Sequence, residues 1–217
     1  TQVCLLFSCL SKRSFMTATD DTKKMKPIRS FVVRSGRMTA GQQRGWDNNW
    51  EAMGLELSDN LKDCTLSFSA RKPTILEIGF GMGASLCEMA KNEPDSHFIG
   101  VEVHRPGVGA LLAKAEQMEL SNLKAFCEDA NEVLKQCVPE ASLSRVQLYF
   151  PDPWHKTKHN KRRLVQPDFV QRIRPKLEIG GVFHMATDWE PYAKHMMKVM
   201  TAAEGFRNVS GGSEYSE

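Results

Sequence analysis

The chain has 217 residues, with 29 Lys and Arg against 26 Asp and Glu, a formal net charge of +3. Hydrophobic residues make up 41% and charged residues 25%, the balance of an ordinary globular domain with a buried core. Collagen-like, disulfide-scaffold and wholly disordered chains are excluded, as is a polytopic membrane protein, because no run approaches the roughly 18 apolar residues that span a bilayer.

The apolar run from Val3 to Leu10 is too short to cross a membrane. Its basic residues, Lys12 and Arg13, follow the run, the reverse of a secretory signal. Residues 1–27 therefore read as a dispensable extension without fixed structure, with organelle targeting as the weaker alternative. One domain is expected over residues 28–217. Lys23, Lys24, Lys26, Arg29, Arg34, Arg37 and Arg44 lie in one acid-free stretch, and Lys156, Lys158, Lys161, Arg162 and Arg163 in another. These two segments hold 12 of the 29 cations, so the rest of the chain is net acidic. An acidic body with two basic segments points to a polyanionic partner; the plainer alternative is two solvated loops.

From Thr74 onward, short apolar runs alternate with helical periodicity. Strands are predicted over 74–79, 97–103, 123–127, 145–150 and 181–187. Helices are predicted over 84–91, 107–119, 130–137, 167–177 and 191–203. Five strands alternating with helices give an α/β fold with a doubly wound, mostly parallel sheet. The six cysteines are scattered and none forms C-x-x-C, so no metal site is expected. Cys87, Cys127 and Cys137 lie in apolar patterns and read as small core residues of a reduced, intracellular, cytoplasmic protein.

Leu76-Glu77-Ile78-Gly79-Phe80-Gly81-Met82-Gly83 joins the first of these strands to its helix. Glycines there let the backbone turn sharply beside a helix N-terminus that offers free N–H groups. Gly79-x-Gly81-x-x-Ala84 also fits a nicotinamide-dinucleotide fingerprint. Glu77 argues against that reading, because a carboxylate beside the glycines repels a pyrophosphate and suits a cationic amino-acid moiety. S-adenosylmethionine (SAM) carries such a moiety. Glu102 ends the next strand, where a carboxylate can take both hydroxyls of a ribose; this feature serves either cofactor. Asp129, after the third strand, can accept from an adenine amino group or cap the following helix.

The fourth strand runs into Phe150-Pro151-Asp152-Pro153-Trp154-His155-Lys156. Two prolines fix the backbone around one aspartate and end the strand. They hold Asp152 at the carboxyl edge of the sheet, where ligands of such folds bind. His155 and His159 are four apart, but no third ligand accompanies them and the surrounding cations repel a metal. Trp154 and Trp189 are candidates for stacking on a base or for the core.

With these residues in place, the sequence resembles the single-chain tRNA (guanine-N7)-methyltransferase family. The matching stretches are Arg29-Ser30-Phe31-Val32, Gly36-Arg37-Met38-Thr39 with Gln42, LEIGFGMG, GVEVH, EDA, FPDPWHK with KRR, and ATDWE-x-Y. They extend from about residue 28 to 210. The resemblance implies a Rossmann-like class I methyltransferase fold, SAM as cofactor and tRNA as partner, without metal or membrane. It implies cofactor contacts from Glu77, Glu102, Asp129 and Asp152 beside Gly79, Gly81 and Gly83. Lys156 and Asp188 are implied to contact the tRNA or its target guanine. Members also carry a distal Thr-Lys-Phe-Glu segment and closing strands, which this sequence does not reach by Glu217; those strands are expected to be missing.

Guanine N7 has a free lone pair, so the chemistry asks for alignment and charge stabilisation rather than a base. Asp152 is the expected catalytic residue, orienting the guanine and offsetting its developing charge. Lys158, Lys161, Arg162, Arg163, Arg34 and Arg37 are expected on the RNA backbone. Two alternatives stay open: methylation of another RNA base on the same fold, and a noncatalytic RNA-binding subunit.

Overall fold

The computed structural model describes residues 3–10, 30–31, 36–59 and 72–209. At its centre lie β3 (Thr74–Ile78) and β4 (His97–Val101), in which every residue is buried. Such continuously buried strands are those of a parallel sheet covered on both faces. With β1 (Val3–Cys9), β2 (Gly54–Leu55), β5 (Leu123–Phe126), β6 (Leu143–Tyr149), β7 (Leu177–Thr187) and β8 (Phe206–Asn208), they form one eight-stranded sheet. Its order is β2-β5-β4-β3-β6-β7-β1-β8. Pairing is parallel from β2 through β7, and β1 runs antiparallel to both β7 and β8.

Among the described residues six α-helices accompany the sheet: α1 (Ala40–Met53), α2 (Ala84–Asn92), α3 (Arg105–Gln117), α4 (Ala130–Gln136), α5 (Pro167–Ile173) and α6 (Glu190–Thr201). Proline opens α5 at its first position, where its missing N–H costs nothing. A capping box starts α1: Thr39 Oγ1 accepts from Gln42 N, and Gln42 Oε1 accepts from Thr39 N at 2.9 Å. One face of the sheet packs Leu76, Ile99, Val146 and Phe183 with Leu134, Val170, Tyr192 and Met196 of α4, α5 and α6. The other packs Ile75, Phe98 and Ala125 with Leu86 of α2 and Leu111 and Leu112 of α3. Cys87 and Cys137 are buried and Cys127 is half-buried.

The five predicted strands and five predicted helices are all present, with ends shifted by a few residues. The predicted helix over 167–177 ends at Ile173, is followed by a 3-10 turn (Arg174–Lys176), and gives way to β7. One expectation about the ends of the chain is corrected. Residues 3–9, read as part of an unstructured extension, are a buried strand inserted between β7 and β8. Val3, Leu5 and Phe7 point into the main core, and their spacing of two is strand periodicity. In that place β1 covers the edge of β7 that would otherwise be open. β8 joins the sheet only through β1. Arg29 and the rest of residues 11–29 lie outside the described residues.

If β1 belongs to the core, Phe7→Ala, at a residue 2% exposed, lowers unfolding free energy by about 3–5 kcal/mol. Urea denaturation measures this; an unchanged midpoint would mean that the segment is dispensable after all.

Candidate active site

The sheet order reverses at β3: β4 and β5 lie to one side and β6 and β7 to the other. Ligands of doubly wound sheets bind in the crevice this leaves at the carboxyl ends of the strands. A cavity of about 230 Å³ lies there, walled by residues such as Gly79, Glu102, Asp129, Tyr149, Phe150 and Asp152.

Beyond β3, Gly79, Gly81 and Gly83 have φ of 74°, 61° and 75°, which glycine alone adopts without strain. A Cβ on Gly83 would strike Leu111, and one on Gly107 would strike the Gly81 carbonyl. The loop thus lies directly against the start of α3. Glu102, at the end of β4, ties it down. Its Oε2 accepts from Gly81 N at 3.0 Å, and its Oε1 from Val103 N at 2.7 Å and His104 N at 2.9 Å. Three amide donors on one carboxylate fix its orientation at the cavity wall.

Asp129 caps α4, its Oδ1 accepting from Asn131 N at 2.9 Å and Asn131 Nδ2 at 3.1 Å. It also lines the cavity, so capping does not remove it from reach of a ligand. Glu77 is in a different environment. It is 3% exposed, lies outside the cavity wall, and has no hydrogen-bond partner for Oε2 among the described residues. Burial pushes its carboxyl up to about 7. A buried carboxyl needs either a proton or a cation. That need fits the ammonium group of SAM and not a pyrophosphate.

At the end of β6, Phe150 and Trp154 have φ of 49° and 46°, a region that strains any residue but glycine. The surroundings hold both. Phe150 N donates to Ala186 O at 2.8 Å, and Trp154 Nε1 donates to Ser30 O at 3.1 Å. Between them, Asp152 is exposed in the cavity wall. Asp188 is exposed just beyond β7, the neighbouring strand, where Ala186 is in register with Tyr149. The two aspartates therefore leave adjacent strands at one edge of the sheet.

The basic segment forms a 3-10 turn (Thr157–Arg162). Lys156, Lys158 and Lys161 are exposed, and Arg162 is half-buried with its Cζ 5.0 Å from the Trp154 ring centroid. Arg163, expected on the RNA backbone, is corrected. It is buried, donates from Nε to Pro153 O at 2.8 Å, and lies 5.0 Å over the Tyr192 ring. The Pro153 carbonyl inside the fold needs a donor, and Arg163 supplies it. Arg37 is exposed, while Arg34 lies outside the described residues. His155 meets Trp189 edge-on at 4.5 Å and His159 meets Trp154 edge-on at 5.8 Å. No group that could hold a metal occurs among the described residues.

Sequence reasoning passed over Phe150, which is 52% exposed on the cavity wall. An aromatic residue ending an apolar strand reads as core, and only its positive φ turns it outward.

A reversed parallel sheet, a glycine loop preceded by a buried carboxyl, and carboxylates at the ends of the next two strands define a class I SAM-dependent methyltransferase. A family model described as "Putative methyltransferase" matches residues 71–217. The tRNA (guanine-N(7)-)-methyltransferase of Saccharophagus degradans is 58% identical over 193 residues, 89% of this chain and 84% of that protein. Those of Pectobacterium atrosepticum and Escherichia coli O139:H28 are 56% and 53% identical over 196 residues, 90% of this chain and 82% of each. Among solved structures, the 16S rRNA methyltransferase KamB covers 55% of this chain and 54% of its own at 13% identity and a TM-score of 0.44, too partial to bear on the assignment. The chain belongs to the tRNA (guanine-N(7)-)-methyltransferase family.

Burial separates the cations by their effect on stability. Arg163→Ala lowers the melting temperature by several degrees, whereas Lys158→Ala and Lys161→Ala leave it unchanged; thermal unfolding of the three variants decides this. Glu77 gives a pH dependence. Between pH 4.5 and about 7 the folded, cofactor-free chain keeps a proton that the unfolded chain releases. Stability from Glu77 is thus full below pH 4.5 and declines, by about 3 kcal/mol, as pH rises to about 7. Melting temperatures from pH 5 to 8 fall more steeply for the unaltered chain than for Glu77→Gln, and parallel slopes would contradict the burial effect.

Proposed function

We propose that this protein transfers the methyl group of SAM to N7 of a guanine in the variable loop of tRNA. The observation that carries the site assignment is Asp152, held by two prolines on the cavity wall beside the glycine loop and Glu102. When bound, SAM supplies an electrophilic methyl on sulfur; the N–CH3 bond forms as the S–CH3 bond breaks, and the sulfur leaves as a neutral thioether.

The protein's residues supply orientation and charge. Guanine N7 needs no deprotonation, so no general base is required. Asp152 accepts from the N1–H edge of the base and stabilises the positive charge that grows on the purine. Asp188, on the next strand, holds the substrate from the other side. Glu77 faces the ammonium group, Glu102 takes the ribose hydroxyls, and Asp129 takes the adenine amino group. Gly79, Gly81 and Gly83 let the backbone approach the cofactor closely.

A guanine within folded RNA must leave its stack to enter the cavity. Phe150 and Trp189, both exposed at this edge, offer faces for it, whereas Trp154 is occupied in holding residue 30. Lys156, Lys158, Lys161 and Arg37 meet phosphates. Arg162 supports the loop from Trp154. Among the described residues no helix is long and apolar enough to cross a membrane, and we place the protein with its tRNA substrate in the cytoplasm.

Incubation with unmodified tRNA and SAM, followed by nucleoside mass spectrometry, yields 7-methylguanosine. Asp152→Asn lowers turnover by about 10²-fold or more with SAM binding retained; full turnover would remove Asp152 from the chemistry. Replacing Lys156, Lys158 and Lys161 by Ala reduces the slope of log K against log salt for tRNA by about 2–3. An unchanged slope would take the loop off the RNA.

A further inference from the structure

Behind the glycine loop lies a row of polar side chains that the proposed chemistry does not use. Glu77 of β3 is in register with Gln147 of β6, and Gln147 with His184 of β7. Partners in register share a face, and their backbones are about 4.8 Å apart. Each carries one buried polar atom without a partner among the described residues: Glu77 Oε2, Gln147 Oε1 and His184 Nε2. Three such atoms aligned across three neighbouring strands are not a chance packing flaw, since each alone is costly.

Donor and acceptor chemistry orders the row. Tyr149, two residues beyond Gln147 on the same face, bonds His184 Nδ1 at 2.9 Å. Burial raises the Tyr149 phenol, so the bond joins a neutral phenol and an imidazole, either of which can donate. Gln147 is fully buried and its Nε2 points to Met89 Sδ at 3.6 Å, which leaves Oε1 to face the row as an acceptor. A carboxylate oxygen is also an acceptor, and the two oxygens can join only if Glu77 carries a proton.

We propose that Gln147 is a positioning residue that keeps Glu77 protonated in the cofactor-free protein, so that binding of SAM expels one proton from Glu77. The inference rests on the reading of Glu77 as the partner of the cofactor's ammonium group. Tyr149, at the end of the row, lines the cavity, which sets the row beside the ligand site.

Other groups near Glu77 do not titrate in the same range. From α2, Cys87 is pushed up to about 12 by burial. From β6, Tyr149 is raised by burial and then by Glu77, with Arg145 acting in the opposite direction. From β7, His184 is lowered by burial and then by Arg145. From β4, only Gly100 stands opposite. Glu77 is left as the group of this cluster that is pushed toward pH 7.

Calorimetric titration with SAM, in two buffers of different ionisation enthalpy, reads the proton count directly. The unaltered chain releases about 0.9 proton per site at pH 6. Release close to zero overturns the proposal while leaving SAM binding intact; absence of SAM binding at any pH overturns the functional reading instead. In Gln147→Leu, the lost acceptor moves the acid limb of SAM affinity down by about one pH unit. An unmoved limb in a folded variant assigns proton retention to burial alone and removes Gln147 from the role. If Gln147→Leu does not fold, Gln147→Met removes the same acceptor with an unbranched side chain, and its acid limb decides the question in the same way.

Discussion

A parallel sheet that winds in both directions from one strand cannot cover its own carboxyl edge at the point of reversal. Here that strand is β3, and the chains leaving β3 and β6 diverge to opposite faces. The gap between them is where the glycine loop, the end of β4 and the proline-framed turn after β6 meet around one cavity. Each functional group of the site reaches it because its strand ends at this edge. The core beneath is continuous on both faces, so the edge is rigid while its loops differ in chemistry.

Four carboxyl groups at or under that edge illustrate how environment divides labour among like residues. Glu102 is locked by three backbone donors and presents a fixed acceptor surface. Asp129 is shared between a helix cap and the cavity wall. Asp152 is exposed, its freedom removed by the prolines rather than by hydrogen bonds. Glu77 is buried among apolar strands and polar neighbours, where its charge is tolerable only with a cation at hand. A ligand that is cationic at one end and rich in hydroxyl and amino groups at the other matches this sequence of environments.

The basic segment shows the same sorting by position. Lys161 and Arg163 are two residues apart, yet the first is exposed and the second is buried between Pro153 and Tyr192. Arg163 therefore braces the turn that carries Asp152, whereas Lys161 is open to solvent. The segment holds buried and exposed cations side by side, and its charge pattern alone does not separate them.

The glycine loop, the Pro-Asp-Pro turn and the strands and helices between Thr74 and Thr201 were legible because each rests on local demands. Positive φ requires glycine, proline ends a strand, and buried parallel strands are short unbroken apolar runs. β1 was not legible as part of the domain, because its partner β7 lies near the other end of the chain and length alone does not tell a strand from an apolar tail. β2 and β8 are too short to carry a period, and α1 buries only Gly45, so it shows no strong stripe. The burial of Arg163, the outward turn of Phe150 and the alignment of Glu77, Gln147 and His184 were decided by the tertiary structure. They depend on which strands pair and in what register, and register brings together residues whose sequence neighbourhoods contain no trace of one another.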